Sequence, residues 1–151
     1  MPKLLNQDLQ VAQIAGTSFQ YSGVRPDKLE ATEYTLASLV VDTTGSVGEF
    51  ATELLEMVRA VAGACQKHPR AENIMLRYST FNSISGIKEQ HGFQPAPALE
   101  PQNYAELYPR GMTPLCDATL ESIGATLDYG VTLGKSDFGV NAILFVVTDG
   151  A

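Results

Sequence analysis

The spacing of apolar positions changes several times along the chain, and each change predicts an element. Glu33 to Val41 is β-prone and continuously apolar towards its end, as a strand buried on both faces should be. From Val47 the period lengthens. Val47, Phe50, Leu54, Val58, Val61 and Cys65 recur at steps of three or four, one face of a helix that ends near His68-Pro69. Ile74 to Phe81 predicts a second strand. Ser83 to Phe93 predicts a weaker third, interrupted by Gly86 and Gly92 and joined through Asn82-Ser83 as a hairpin. Pro95, Pro97, Pro101 and Pro109 mark a long surface loop. A second helix opens at Gly111-Met112-Thr113-Pro114, with Thr113 as N-cap, Pro114 in the first turn, and Leu115, Thr119, Ile123 and Leu127 as its inward stripe. Asp137 to Gly139 make a turn, and Asn141 to Thr148 is a last apolar strand. Residues 1–33, broken by Gly16, Gly23 and Pro26, show no clear period. They predict an N-terminal arm with one short strand near Ser18 to Ser22.

The order strand, helix, strand pair, helix, strand predicts an α/β fold. Its expected form is a three-layer, doubly wound, mostly parallel sheet with one antiparallel edge strand. The first and last strands are expected as neighbours in the middle, with the hairpin to one side. Ligands of such sheets bind outside the carboxyl ends of the strands, where strand order reverses. Asp42, Ser46, Thr113 and Asp149 all fall at that rim.

Composition narrows the function classes. The chain has 151 residues, 44% hydrophobic and 18% charged, which suits one globular domain. Net charge is −7 and the pI is about 4.7, with Lys and Arg scattered, so no electrostatic footprint for nucleic acid is present. No run of 18 apolar residues exists, so no membrane span is expected, and Met1 to Gln10 does not read as a secretory signal. The two cysteines, Cys65 and Cys116, form no CxxC pair, so a reduced, cytoplasmic setting is the expectation. His68 and His91 read as surface residues, Tyr78 and Phe81 as core aromatics.

The most suggestive chemistry is Asp42-Thr43-Thr44-Gly45-Ser46, directly after one strand and before a helix. An acid and hydroxyls at a sheet rim supply hard oxygen ligands, which suit Mg²⁺, Mn²⁺ or Ca²⁺. The same residues also make an ordinary turn and helix cap.

Asp42-x-Thr44-x-Ser46, a distant Thr113 before a helix, and Thr148-Asp149-Gly150 after a strand together resemble the von Willebrand factor A domain. The resemblance runs from about Glu33 to the end, dividing the chain into an N-terminal arm, 1–33, and an incomplete domain of that type, 34–151. It implies a metal-ion-dependent adhesion site. Thr44 and Ser46 would bind the ion directly, Thr113 directly or through water, and Asp42 and Asp149 mainly through water. Mg²⁺ is the implied ion, with Mn²⁺ or Ca²⁺ as alternatives. The implied function is non-enzymatic: a metal-dependent protein-binding module whose partner offers an Asp or Glu carboxylate. Two departures stand out. Thr44 occupies a position that is usually Ser, and the chain ends at Ala151 without the family's last strands and closing helix. A second polypeptide, an identical chain, a longer native protein or the N-terminal arm would then cover the last strand.

Two other classes compete. Asp-x-Thr-Gly-Ser also resembles the phosphorylated turn of haloacid-dehalogenase-type enzymes, with Asp42 as nucleophile, although only Lys135 in a turn offers itself as the required lysine. The third is an assembly subunit completed by another chain through the open edge of its last strand.

Overall fold

A computed structural model of the chain describes residues 8–14, 16–43, 45–84, 86–107 and 115–148; the side chains of Ser46 and Val47 lie outside the description. The strands are β1 (Leu9–Gln13), β2 (Gln20–Val24), β3 (Glu33–Asp42), β4 (Ile74–Asn82), β5 (Gly86–Pro95) and β6 (Gly139–Val147). The two long helices are α1 (Ala51–Lys67) and α2 (Leu115–Lys135). All six strands form one sheet in the order β1-β2-β5-β4-β3-β6.

β3 is the pivot. Its residues from Leu36 to Val41 are buried, as their continuous apolarity requires, and it pairs in parallel with β4 on one side and β6 on the other. The α1 face of the sheet buries Leu39, Val41, Leu76 and Tyr78 against Val58 and Ala62. The α2 face buries Leu36, Met75 and Phe93 against Tyr129 and Leu133, with Val40, Phe81 and Ala118 in an adjoining cluster.

The sheet corrects the expected topology. It is mixed, not a mostly parallel, doubly wound sheet. β1 and β2 pair antiparallel, and so do β4 and β5. Among the described elements, α1 is the helix that joins two strands paired in parallel, β3 and β4. β1 and β2, and likewise β4 and β5, are joined by short turns, and a short turn can return a chain only antiparallel. β5 does not lie at an edge, because β2 pairs with its outer side at Gly23 and Phe93. Nor is β6 in the middle: β3 is its sole partner among the described residues.

Two helical expectations also shift. A 3₁₀ segment, Gly45–Phe50, precedes α1, and Phe50 stays exposed at the helix start instead of packing inward. On α2 the buried positions are Ala118, Glu121, Ser122, Ala125, Thr126, Tyr129 and Leu133. Of the expected stripe, Leu115 packs against the Val40–Phe81–Ala118 cluster, whereas Ile123 and Leu127 are exposed.

Candidate functional site

Three features are candidates for function, and the first is the rim where β3 ends. Asp42 is fully buried there, and its carboxylate accepts a hydrogen bond from the Thr148 hydroxyl at 2.7 Å. That bond ties the ends of β3 and β6 together. Next to it, the Thr43 amide donates to the Phe81 carbonyl at 3.0 Å, as does its hydroxyl at 3.1 Å, while Asn82 Nδ2 donates to the Thr43 hydroxyl at 3.1 Å. The rim is thus a hydrogen-bonded clasp between β3, β4 and β6.

Of the residues expected to hold an ion, Asp42 is the one whose side chain the structure places. Thr44, Thr113 and Asp149 lie outside the described residues, and Ser46 is described only as backbone of the 3₁₀ segment. Among the described residues no group of three His, Cys, Asp or Glu side chains could hold a metal ion. The nucleophile reading of Asp42 also loses its footing. A carboxylate without solvent exposure, engaged by Thr148, has no open face for a phosphate.

The second feature lies on the α1 face, over β4 and β5. Tyr78, His91 and Tyr104 form an aromatic group with ring centroids 5.0 to 6.1 Å apart. His91, expected at the surface, is held inside it. The Gly92 carbonyl can only accept, so His91 Nδ1 carries the proton and donates to it at 2.9 Å. Nε2 then accepts from the Tyr104 hydroxyl at 2.8 Å. Burial pushes the His91 pKa below its ordinary 6.5, against the opposing pull of the Gly92 carbonyl and Glu89. The unfolded chain therefore takes up the proton first. Stability contributed by neutral His91 is present above about pH 6.5 and is lost as pH falls towards the lower folded value. Urea midpoints at pH 8 and pH 5 should differ in that direction, and His91→Gln should flatten the difference.

The third feature is the outer surface of α2. Leu120, Ile123, Leu127 and Val131 recur at steps of three, four and four, and they lie opposite the buried stripe. Leu120 is 66% exposed, Leu127 64% and Val131 56%. At the neighbouring sheet edge β6 leaves Ile143 and Phe145 each 48% exposed. These two share the α1 face of the sheet with Val147, whereas Leu144 and Val146 pack towards α2. Sequence reasoning found the apolar periodicity of α2 but assigned it to the core. The sign that could have corrected it is the second apolar series, Ala118-Ala125-Tyr129-Leu133, in the same helix.

No protein-family model matches the chain, and no curated protein matches it. Among solved structures the chain is similar to the pilus adhesin SpaC from Lactobacillus rhamnosus GG in its open conformation, at 15% identity and a TM-score of 0.57. The match covers 98% of this chain and 20% of the adhesin. A D319A mutant of the PilB minor pilin from Streptococcus sanguinis matches with a TM-score of 0.49 at 16% identity, over 70% of this chain and 29% of the pilin. The chain therefore spans a minor part of each protein it resembles. The mixed sheet and the likeness to the adhesin's fold overturn the von Willebrand factor A resemblance and the metal-dependent binding function inferred from it. What the comparison establishes is a fold shared with a segment of a pilus adhesin.

Proposed function

We propose that this chain is a protein-contacting domain of a pilus-type assembly, structural or adhesive and not catalytic. The observation that carries the reading is the outer face of α2. A helix with apolar stripes on opposite sides is normally buried on both. Here one side packs on the sheet, and the other presents Leu120, Ile123, Leu127 and Val131 to solvent. Contiguous apolar surface of this kind marks protein contacts. The likeness to a pilus adhesin, a protein whose chain is several times longer than the matched part, supports a domain that works against neighbouring polypeptide. The occupant is another polypeptide that lays an apolar surface on this stripe. The outer edge of β6, unpaired among the described residues, offers it backbone hydrogen bonds in addition.

Leu127→Glu tests the reading, because an exposed position tolerates the charge at a cost of about 0.5 kcal/mol or less. The wild-type chain should bind an apolar surface dye such as anilinonaphthalene sulfonate in its native state, and the variant should bind much less at unchanged melting temperature. A wild-type protein indifferent to the dye would remove the proposed contact face.

A further inference from the structure

A pocket of about 350 Å³ opens over the carboxyl-terminal half of β4, lined by Thr80, Lys88, Gln90, Tyr78, Tyr104 and Glu106 among others. Two irregularities in the β4–β5 register build it. Leu76 faces Gln94 but Tyr78 faces His91, and Ser79 faces Glu89, so β5 carries extra residues on both sides of His91. Bulges of this kind re-aim side chains. Here Glu89 turns to the α2 face, where it meets Arg77, while Lys88, Gln90 and His91 reach the α1 face. The roof is the segment after Asn103. It is held by the Tyr104 bond to His91 and by Arg59, which donates to the Tyr104 carbonyl at 2.8 Å.

We propose that this pocket binds a neutral, hydroxyl-rich ligand, a single hexose unit of a saccharide. The polar groups it presents are mixed. The Tyr78 hydroxyl is buried and, among the described residues, has no hydrogen-bond partner. Gln90 Nε2 donates to the Thr80 hydroxyl at 2.9 Å, which leaves the Gln90 carbonyl as an acceptor and the Thr80 hydroxyl proton as a donor. Paired donors and acceptors beside aromatic rings match a sugar, whose hydroxyls each do both and whose ring carries an apolar face. Size agrees, since small-molecule sites begin at about 300 Å³. Charge decides against an anion. The lining holds one ammonium, Lys88, and one carboxylate, Glu106, in a chain of net charge −7 that repels anions at long range.

The experiment is a titration of the isotope-labelled chain with glucose, galactose and N-acetylglucosamine, each to about 50 mM, followed by amide chemical shifts. Glucuronate and acetate serve as anionic comparisons. At least one neutral sugar should shift resonances of Thr80, Lys88, Gln90 and Tyr104. Gln90→Ala, at an exposed position, should weaken that binding about 5-fold by loss of one hydrogen bond, with the melting temperature unchanged. Silence with all three sugars overturns the proposal. So does binding of the anions alone, or a Gln90→Ala variant that binds as the wild type does. The proposal is independent of the contact face on α2.

Discussion

Arg77→Ala is expected to cost about 3–5 kcal/mol, the range for removing one partner of a buried ion pair, and so to consume much of the stability of a domain this size. Arg77 is 1% exposed in the middle of β4. Its Nη2 lies 2.6 Å and its Nη1 3.2 Å from the two oxygens of Glu121 on α2, and its Nε lies 2.7 Å from Glu89 on β5. Glu89 in turn accepts from the amide and the hydroxyl of Ser22 on β2, at 2.9 and 2.6 Å. Burial works against the guanidinium charge, but Glu121 and Glu89 outweigh it and hold its pKa above the ordinary value. One side chain therefore ties β2, β4, β5 and α2 together. Without it the carboxylate of Glu121, 2% exposed, loses its ion pair and among the described residues keeps the Ser122 hydroxyl at 3.3 Å. The double variant Arg77→Met/Glu121→Leu removes both buried charges and should recover most of the loss, while Glu89 keeps its bonds to Ser22. Urea unfolding of the three proteins measures this. A loss under about 1 kcal/mol for Arg77→Ala would mean that water reaches the site.

Gly92→Ala is the second large effect. A Cβ at residue 92 would stand 2.0 Å from the carbonyl oxygen of Ser22, and backbone in the next strand cannot rotate away as a side chain can. β2 and β5 would have to separate, breaking the pairing that joins the β1–β2 hairpin to the rest of the sheet. Overpacking of this kind costs about 3 kcal/mol, which corresponds to roughly 10 °C in melting temperature for a chain of this length. Equal melting temperatures for variant and wild type would show that β2 is not seated against β5 in solution.

These two positions also show what the sequence could and could not convey. β3, β4 and β6 were legible because long apolar runs or β-branched residues leave no other fate. The hairpin β1–β2 was legible only as one short strand in an arm. Its strands have five residues each and a polar-rich pattern, and their burial comes from a partner distant in sequence. Gly92 read as a weakness in β5, whereas it marks the close approach of β2. Arg77 lay in plain view as a lone charge in an otherwise buried strand, but its partners come from β5 and α2, which periodicity cannot pair. On α2 Leu115 was rightly placed inward, but the large residues Ile123 and Leu127 drew the rest of the stripe to themselves. The true inward face is built of Ala118, Ser122 and Ala125, small enough to let the helix approach the sheet, followed by Tyr129 and Leu133. At the rim, the acid and hydroxyls of 42–46 suggested an ion. The described part of that rim is a clasp in which Asp42 holds Thr148.

The central claim is that the outer face of α2 is a contact surface, and sedimentation of the isolated chain tests it most directly. The wild-type chain should associate reversibly as its concentration rises to about 1 mM, because an uncovered apolar stripe finds a second copy when its own partner is missing. Leu120→Glu/Leu127→Glu should sediment as a monomer throughout, with an unchanged melting temperature. A wild-type chain that stays monomeric over the whole range, or a double variant that associates just as strongly, would contradict the account.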